Sequence, residues 1–269
     1  MKWLISKQTR AHIDAYASSP AHAVLLAGDA GAGVQMARDY MIHRIKETHA
    51  EQIVVSLVEP EKKSITIEQI RSLRDIIKHK QGNRLFYIVV TQAHTMTREA
   101  QNSFLKQLEE PVSGIHYILE ADGGGLLDTI QSRCHIVRVL PVRQEEAFAY
   151  SKGEASDTNY VISGGLAGVY AELEGEASGE FIALLKQAKH IVTSTPYERL
   201  IAFDALAKEK KQTQQVLDAL LKTCQAALRK TQGSKRWRHN CEVLLQALTY
   251  ANTNVQSKLI YDFVAVSLA

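Results

Sequence analysis

The chain has 269 residues, 45% hydrophobic and 23% charged, with a net charge of +3. That length suits two or three domains of ordinary globular composition. It excludes a membrane-spanning helix, since no run of eighteen apolar residues occurs, and the three distant cysteines (Cys134, Cys224, Cys241) argue against a zinc site or a disulfide framework. The N-terminal MKWLISKQTR is amphipathic and too polar for a secretory core, so a cytoplasmic location with no membrane contact is expected. The mildly basic balance permits contact with a phosphate backbone without indicating it.

Residues 24–27 (Val-Leu-Leu-Ala) form a short apolar run of the kind a buried parallel strand presents. Gly28-Asp29-Ala30-Gly31-Ala32-Gly33-Val34-Gln35 follows, then a helical pattern from Met36 to about Lys46. Strand, glycine-rich turn and helix are the plan of a phosphate loop, G-x-x-x-x-G-K-[ST], with Gly28 and Gly33 at its outer glycines. Val34 takes the lysine position and Gln35 the Ser/Thr position, so the phosphate-bridging cation and a magnesium ligand are both missing. Two readings stand. Backbone N–H groups around Gly28, Gly31 and Gly33 still hold a phosphate or other anion, or the glycines serve close strand–helix packing.

Gln52 to Val58 reads as a second strand. Thr66-x-x-Gln69 has the form of a capping box, and Ile67, Ile70, Leu73, Ile76 and Ile77 give a helical apolar face closed by Gly82-Asn83. A third strand spans Leu85 to Val90. In a working ATPase of this plan its end carries one acid for magnesium and one for the attacking water. Thr91-Gln92-Ala93-His94 supplies neither carboxylate, and His94, at a strand–helix junction, reads as structural.

Thr97 is an N-cap candidate for a helix with Ala100, Phe104, Leu105 and Leu108 on one face, and Pro111 stops it. Strands at 115–120 and 135–139 bring the total to five, alternating with helices, which predicts a parallel α/β sheet with right-handed crossovers. Between them, Ser132-Arg133-Cys134 follows a glycine-rich turn at a strand edge. An arginine there can point away from its own domain; the alternative is a surface arginine solvating a loop.

Pro141 marks a first boundary, after which 142–175 is short, polar and small, with Gly164-Gly165 and Gly168. From Gly179 the pattern is helical: Phe181, Leu184, Leu185 and Ala188, then Val216, Leu217, Leu220 and Leu221, then Val243 to Leu248. Thr195-Pro196-Tyr197-Glu198 reads as a capping box with Pro at the first helical position. Lys258 to Leu268 is apolar on more than one side. Lys208, Lys210 and Lys211, and the run Lys235-Arg236-Trp237-Arg238-His239, are the basic clusters; the run reads as a solvated loop between helices, with stacking on nucleic acid at Trp237 as the alternative.

Asn102 to Pro111 (N-S-F-L-K-Q-L-E-E-P) resembles the N-[AS]-L-L-K-x-L-E-E-P signature of bacterial DNA polymerase III clamp-loader subunits. Leu126 to Cys134 resembles their L-L-P-T-I-x-S-R-C segment, and Ile65 to Leu73 their I-x-I-[DE]-x-I-R-x-L. The resemblance implies an AAA+ fold: a parallel five-stranded α/β domain over 1–140, a small helical lid over 141–177 and an all-α collar over 178–269 through which subunits associate. Active members read D-E-A-[DH] at 91–94 and place a sensor arginine where Val169 stands. It implies that Arg133 acts in trans as an arginine finger, that Ser132 supports its turn, and that Cys134 is packed.

The subunit so implied is non-hydrolysing, with no cofactor or metal of its own. Its implied partners are gamma/tau-like ATPase subunits, a delta-like subunit and, through the complex, the sliding clamp and primer–template DNA. A gamma/tau-like ATPase with unusual ligands is the alternative, and a delta-type subunit a third reading. Two departures stand out: Tyr40 to Gln52 has no four-cysteine zinc module, and Asp128 replaces the usual proline before Thr129-Ile130.

Overall fold

The computed structural model describes residues 2–269 apart from 50–52, 79–84, 123–124, 152–156, 176–177, 207–211, 232 and 254. Gly82-Asn83 and the lysines at 208, 210 and 211 lie outside the described residues. The chain divides into two compact units, one of Met1–Ala155 with Gly165–Val169, the other of Ser156–Gly164 with Tyr170–Ala269.

The first unit runs α1 (Lys7–Ser18), β1 (Ala23–Gly28), α2 (Val34–Thr48), β2 (Ile53–Val58), α3 (Ile67–Lys78), β3 (Leu85–Val90), α4 (Arg98–Glu109), β4 (Ile115–Asp122), α5 (Asp128–Gln131), β5 (His135–Arg138) and α6 (Gln144–Tyr150). Its five strands pair in the order β2-β3-β4-β1-β5, all parallel. Side chains alternate across the sheet. Val24, Leu26, Tyr87, Val89, Ile118 and Val137 pack with α1 and α2. Leu25, Ile88, Val90, Tyr117 and Leu119 pack with Ile70 and Leu73 of α3, Phe104 and Leu108 of α4 and Ile130 of α5. Both faces are covered, which is why the central strands read as unbroken apolar runs.

Local signals place the helix starts. Thr66 and Gln69 form the expected reciprocal cap, each accepting from the other's backbone N–H. The Thr97 hydroxyl accepts from the Ala100 N–H and starts α4.

The second unit is helical: α7 (Asp157–Ser163), most of α8 (Ala167–Glu174), α9 (Ser178–Thr193), α10 (Pro196–Leu206), α11 (Gln212–Lys230), α12 (Lys235–Ala251) and α13 (Ser257–Ser267). Leu185, Val192, Leu217, Leu220, Leu244, Ile260 and Val264 are buried in it, and Phe203 stacks on Tyr261 with ring centroids 4.8 Å apart. Thr195 and Glu198 cap α10 as expected.

Two features of this unit differ from expectation or escaped it. The run Lys235 to His239 is the start of α12, not a loop. Cations are unfavourable at a helix N-terminus, but here Arg236 Nε donates to the Ala269 carbonyl and His239 Nε2 lies 3.0 Å from the Ser267 carbonyl, beyond α13 and at its end. Arg199, 2% exposed, donates to the carbonyls of Ile191, Val192 and Leu268. Those acceptors lie in the last turn of α9 and just past α13, so helix C-termini take the place of a carboxylate.

Candidate functional site: the glycine loop and the Arg133 turn

The glycine loop between β1 and α2 is in intimate contact with the segment Ala167–Val169. Gly31 and Gly33 have φ of +82° and +84°, which favour glycine. The Gly31 carbonyl accepts from the N–H groups of Gly168 (2.9 Å) and Val169 (3.2 Å). A Cβ on Gly31 would stand 2.6 Å from Val169 Cγ2; one on Gly33 would meet the Gly168 nitrogen at 3.1 Å, and one on Gly28 would meet Ala32 and Val34 at 2.9 Å. Ala32, Val34, Ala167 and Val169 are all buried. These contacts leave little room for a side chain at Gly28, Gly31 or Gly33. Val169 is the side chain lying on Gly31.

The end of β3 is equally inward. Thr91 is buried, and its hydroxyl donates to the Val58 carbonyl. His94 Nδ1 accepts from the Asp122 N–H at 3.3 Å, a structural role as expected. On β4, Glu120 is 4% exposed and faces Arg38 of α2 at 2.8 Å. Burial outweighs that partner and pushes the Glu120 carboxyl up to about 7.

Arg133 sits at the other end of the unit's chemistry. Leu127 is the N-cap of α5; its carbonyl accepts from the N–H groups of Ile130 and Gln131. The N–H of Ser132 then bonds Asp128, that of Arg133 bonds Ile130, and that of Cys134 bonds Gln131, so five successive N–H groups of the turn, from Ile130 to Cys134, are hydrogen-bonded. The Ser132 hydroxyl donates to the Thr129 carbonyl. Arg133 Nη1 donates to the same carbonyl at 2.9 Å, and Nη2 pairs with Glu109 Oε1 at 2.8 Å, leaving the side chain 37% exposed. Burial pushes the Cys134 thiol up to about 12, so it is a packed group and no thiolate near neutrality.

Two holders of this turn were not singled out in the sequence. Glu109 ends α4, and Gln101, in its first turns, is 5% exposed with its amide spent on backbone groups of two loops. A glutamine at a core-facing helical position was the available signal. In the second unit, Tyr197 and Ile201 of α10 and Leu259 and Val266 of α13 are exposed apolar side chains, on two helices that pack against each other.

The sequence model of the family described as "DNA polymerase III, delta subunit" matches residues 39–143. The DNA polymerase III subunit delta' of Haemophilus influenzae is 28% identical over 166 residues, covering 54% of this chain and 51% of that protein. The DNA polymerase III subunit gamma of Buchnera aphidicola is 31% identical over 88 residues, 32% of this chain and 24% of that protein. The chain thus matches about half the length of the first relative (51%) and about a quarter of the second (24%). A gamma-subunit-related protein of Thermotoga maritima superposes with a TM-score of 0.56 over 97% of this chain and 98% of its own, at 19% identity, a likeness of fold. On the family match over residues 39–143 and the 28% identity over 166 residues, the chain is similar to DNA polymerase III delta-prime subunits.

Proposed function

We propose that the chain is a non-hydrolysing, delta-prime-type subunit of a clamp loader, and that Arg133 acts as an arginine finger on ATP held by an adjacent ATPase subunit. The observation that carries this reading is the Arg133 turn, whose N–H groups from Ile130 to Cys134 are hydrogen-bonded and which leaves a guanidinium partly exposed. As a transferred phosphoryl group separates, negative charge spreads over its oxygens, and a planar, permanently charged guanidinium stabilises that distribution. Ser132 serves to fix the turn through Thr129.

Loss of hydrolysis in this chain follows from Val34, Gln35, Thr91 and Gln92, which leave magnesium and the attacking water without their usual ligands. The close contact of Ala167–Val169 with the glycine loop supports it, and both disfavour a gamma/tau-like ATPase. Residues 141–177 correspond in this reading to a lid and 178–269 to a collar. Its partners are gamma/tau-like ATPase subunits and a delta-like subunit, with the clamp and primer–template DNA reached through the complex, in the cytoplasm.

The test is Arg133→Ala in the reconstituted assembly with clamp and DNA present. Fingers of this kind contribute on the order of 10³–10⁵ in rate; a smaller loss, about tenfold or more, is expected where other subunits supply their own. Assembly is retained and ATP turnover falls. Unmodified turnover by a fully assembled Arg133→Ala complex refutes the trans-acting role.

A further inference from the structure

We propose that a cavity in the second unit, walled by α7, α9, α11 and α12, docks an acidic peptide segment of a partner protein. One apolar anchor side chain of that segment enters the cavity, and its carboxylates pair with the basic rim. The site is separate from Arg133 and holds whether or not the chain works in a clamp loader.

The cavity encloses about 240 Å³. Clefts that take a drug-sized ligand run to roughly 300–1,000 Å³, so this one suits a single large side chain. Its walls include Val161 and Ile162 of α7, Val192 of α9, Ala226 of α11 and the Trp237 indole of α12, with the exposed Lys189 beside them. Thr193 and Thr223 also line it, but their hydroxyls donate to carbonyls of their own helices. An apolar group is therefore the occupant that these walls stabilise.

The rim is cationic. Lys235, Arg236 and Arg238 are exposed around the half-buried Trp237. The first turn of α12 holds no acid, and Ser234 supplies no side-chain cap. Among the described residues, no Asp or Glu side chain forms an ion pair with Lys189, Lys235, Arg236 or Arg238. Arg236 is met by the Ala269 carbonyl; Lys235 and Arg238 stay exposed at a helix N-terminus, where cations are unfavourable. A carboxylate arriving there offsets both the side-chain charges and the positive end of the helix. An apolar pocket with an aromatic wall and a charged rim is the composition of a protein-binding hot spot.

The same run invites stacking on a nucleic acid, and the geometry disfavours it. A stacking platform presents an open aromatic face to a base. Here Arg236 lies over the indole, its guanidinium carbon 5.2 Å from the ring centroid, and the ring is half-buried as a wall of the cavity. A nucleobase would also bring its polar edges against hydroxyls whose donors are already spent. None of the lining residues lies on α10 or α13, which carry the exposed Tyr197, Ile201, Leu259 and Val266.

The experiment uses the full chain carrying Trp3→Phe, which leaves Trp237 as its sole tryptophan, and follows Trp237 emission. The probes are synthetic dodecapeptides in which one central phenylalanine or leucine is flanked on both sides by aspartate and glutamate. A saturable blue shift is expected as the anchor covers the indole. Binding is expected to weaken about tenfold or more when the anchor becomes glycine, when the acids become glutamine, or in Lys189→Glu, and to weaken as salt is raised. Ala227→Phe, which fills the cavity from α11, is expected to abolish the shift; where that variant loses helix content, the exposed change Lys189→Glu decides.

No shift with any acidic peptide at millimolar concentration overturns the proposal. Binding indifferent to the anchor, to the acids or to Lys189→Glu overturns it too. A shift produced by oligothymidine and by none of the peptides makes the basic run a nucleic-acid surface, and the peptide site falls with it.

Discussion

Arg133 meets Glu109 at 2.8 Å with both side chains partly in water, 37% and 49% exposed. Exposed pairs of this kind contribute about 0.2–1 kcal/mol, so a phosphate can displace Glu109 at little cost. Glu109→Gln is accordingly expected to shift denaturant stability by less than about 1 kcal/mol; a larger loss in urea unfolding would show the pair to be a structural clasp. Glu120 is the opposite case, a buried carboxyl pushed up to about 7. The folded chain keeps this proton to higher pH than the unfolded chain does. Its contribution is therefore full below the ordinary carboxylate range and is lost as pH rises through about 7. Glu120→Gln is expected to remove on the order of 2–3 kcal/mol of the decline in stability between pH 5 and 8, because Arg38 retains Asp39 at 2.8 Å. Parallel slopes for the two proteins in urea titrations at those pH values would refute this. The Ser132-Arg133-Cys134 turn before β5 was legible in sequence because its motif is contiguous. Gln101 and Glu120 were not, since their partners lie 24, 26 and 82 residues away along the chain and only the fold brings them close.

Among the elements, those with a strong local signal were read correctly: the apolar strands, the Thr66, Thr97 and Thr195 caps, and the amphipathic face of α4. The start of α12 was misread because a basic run disfavours a helix N-terminus locally, and its acceptors at the end of α13 are distant in sequence. The glycine loop was legible as a strand–turn–helix element, but its contact with the start of α8 was not, since its hydrogen bonds are backbone to backbone and span more than 130 residues of chain. It has a measurable consequence. A Cβ on Gly168 would stand 2.8 Å from the Gly31 oxygen, a backbone atom, so Gly168→Ala is expected to lower stability by about 1–3 kcal/mol, as overpacking does. Thermal unfolding checks it, and an unchanged midpoint would mean the loop can yield.

For the whole molecule, Tyr197, Ile201, Leu259 and Val266 are exposed apolar side chains of the second unit, and the proposal that other subunits attach there rests on them. Ile201→Asp with Leu259→Asp is expected to leave helix content unchanged and to weaken co-elution with the partner ATPase subunits at least about tenfold, the equivalent of about 1.4 kcal/mol. Full co-elution would place the association elsewhere. The division of the chain also bears on its synthesis. The first unit holds residues up to Ala155 and then Gly165–Val169, with a stretch of the other unit threaded between them. A nascent chain of 155 residues already contains every strand of the sheet, yet the Gly31 carbonyl still lacks the two N–H donors that arrive with Gly168 and Val169. Domains are commonly finished in order as they leave the ribosome. Here the first can close its glycine loop only after the second has begun to emerge, so a pause in translation just past residue 155 would hold that loop unfinished, with Gly31 and Gly33 lacking the contacts of Val169 and Ala167.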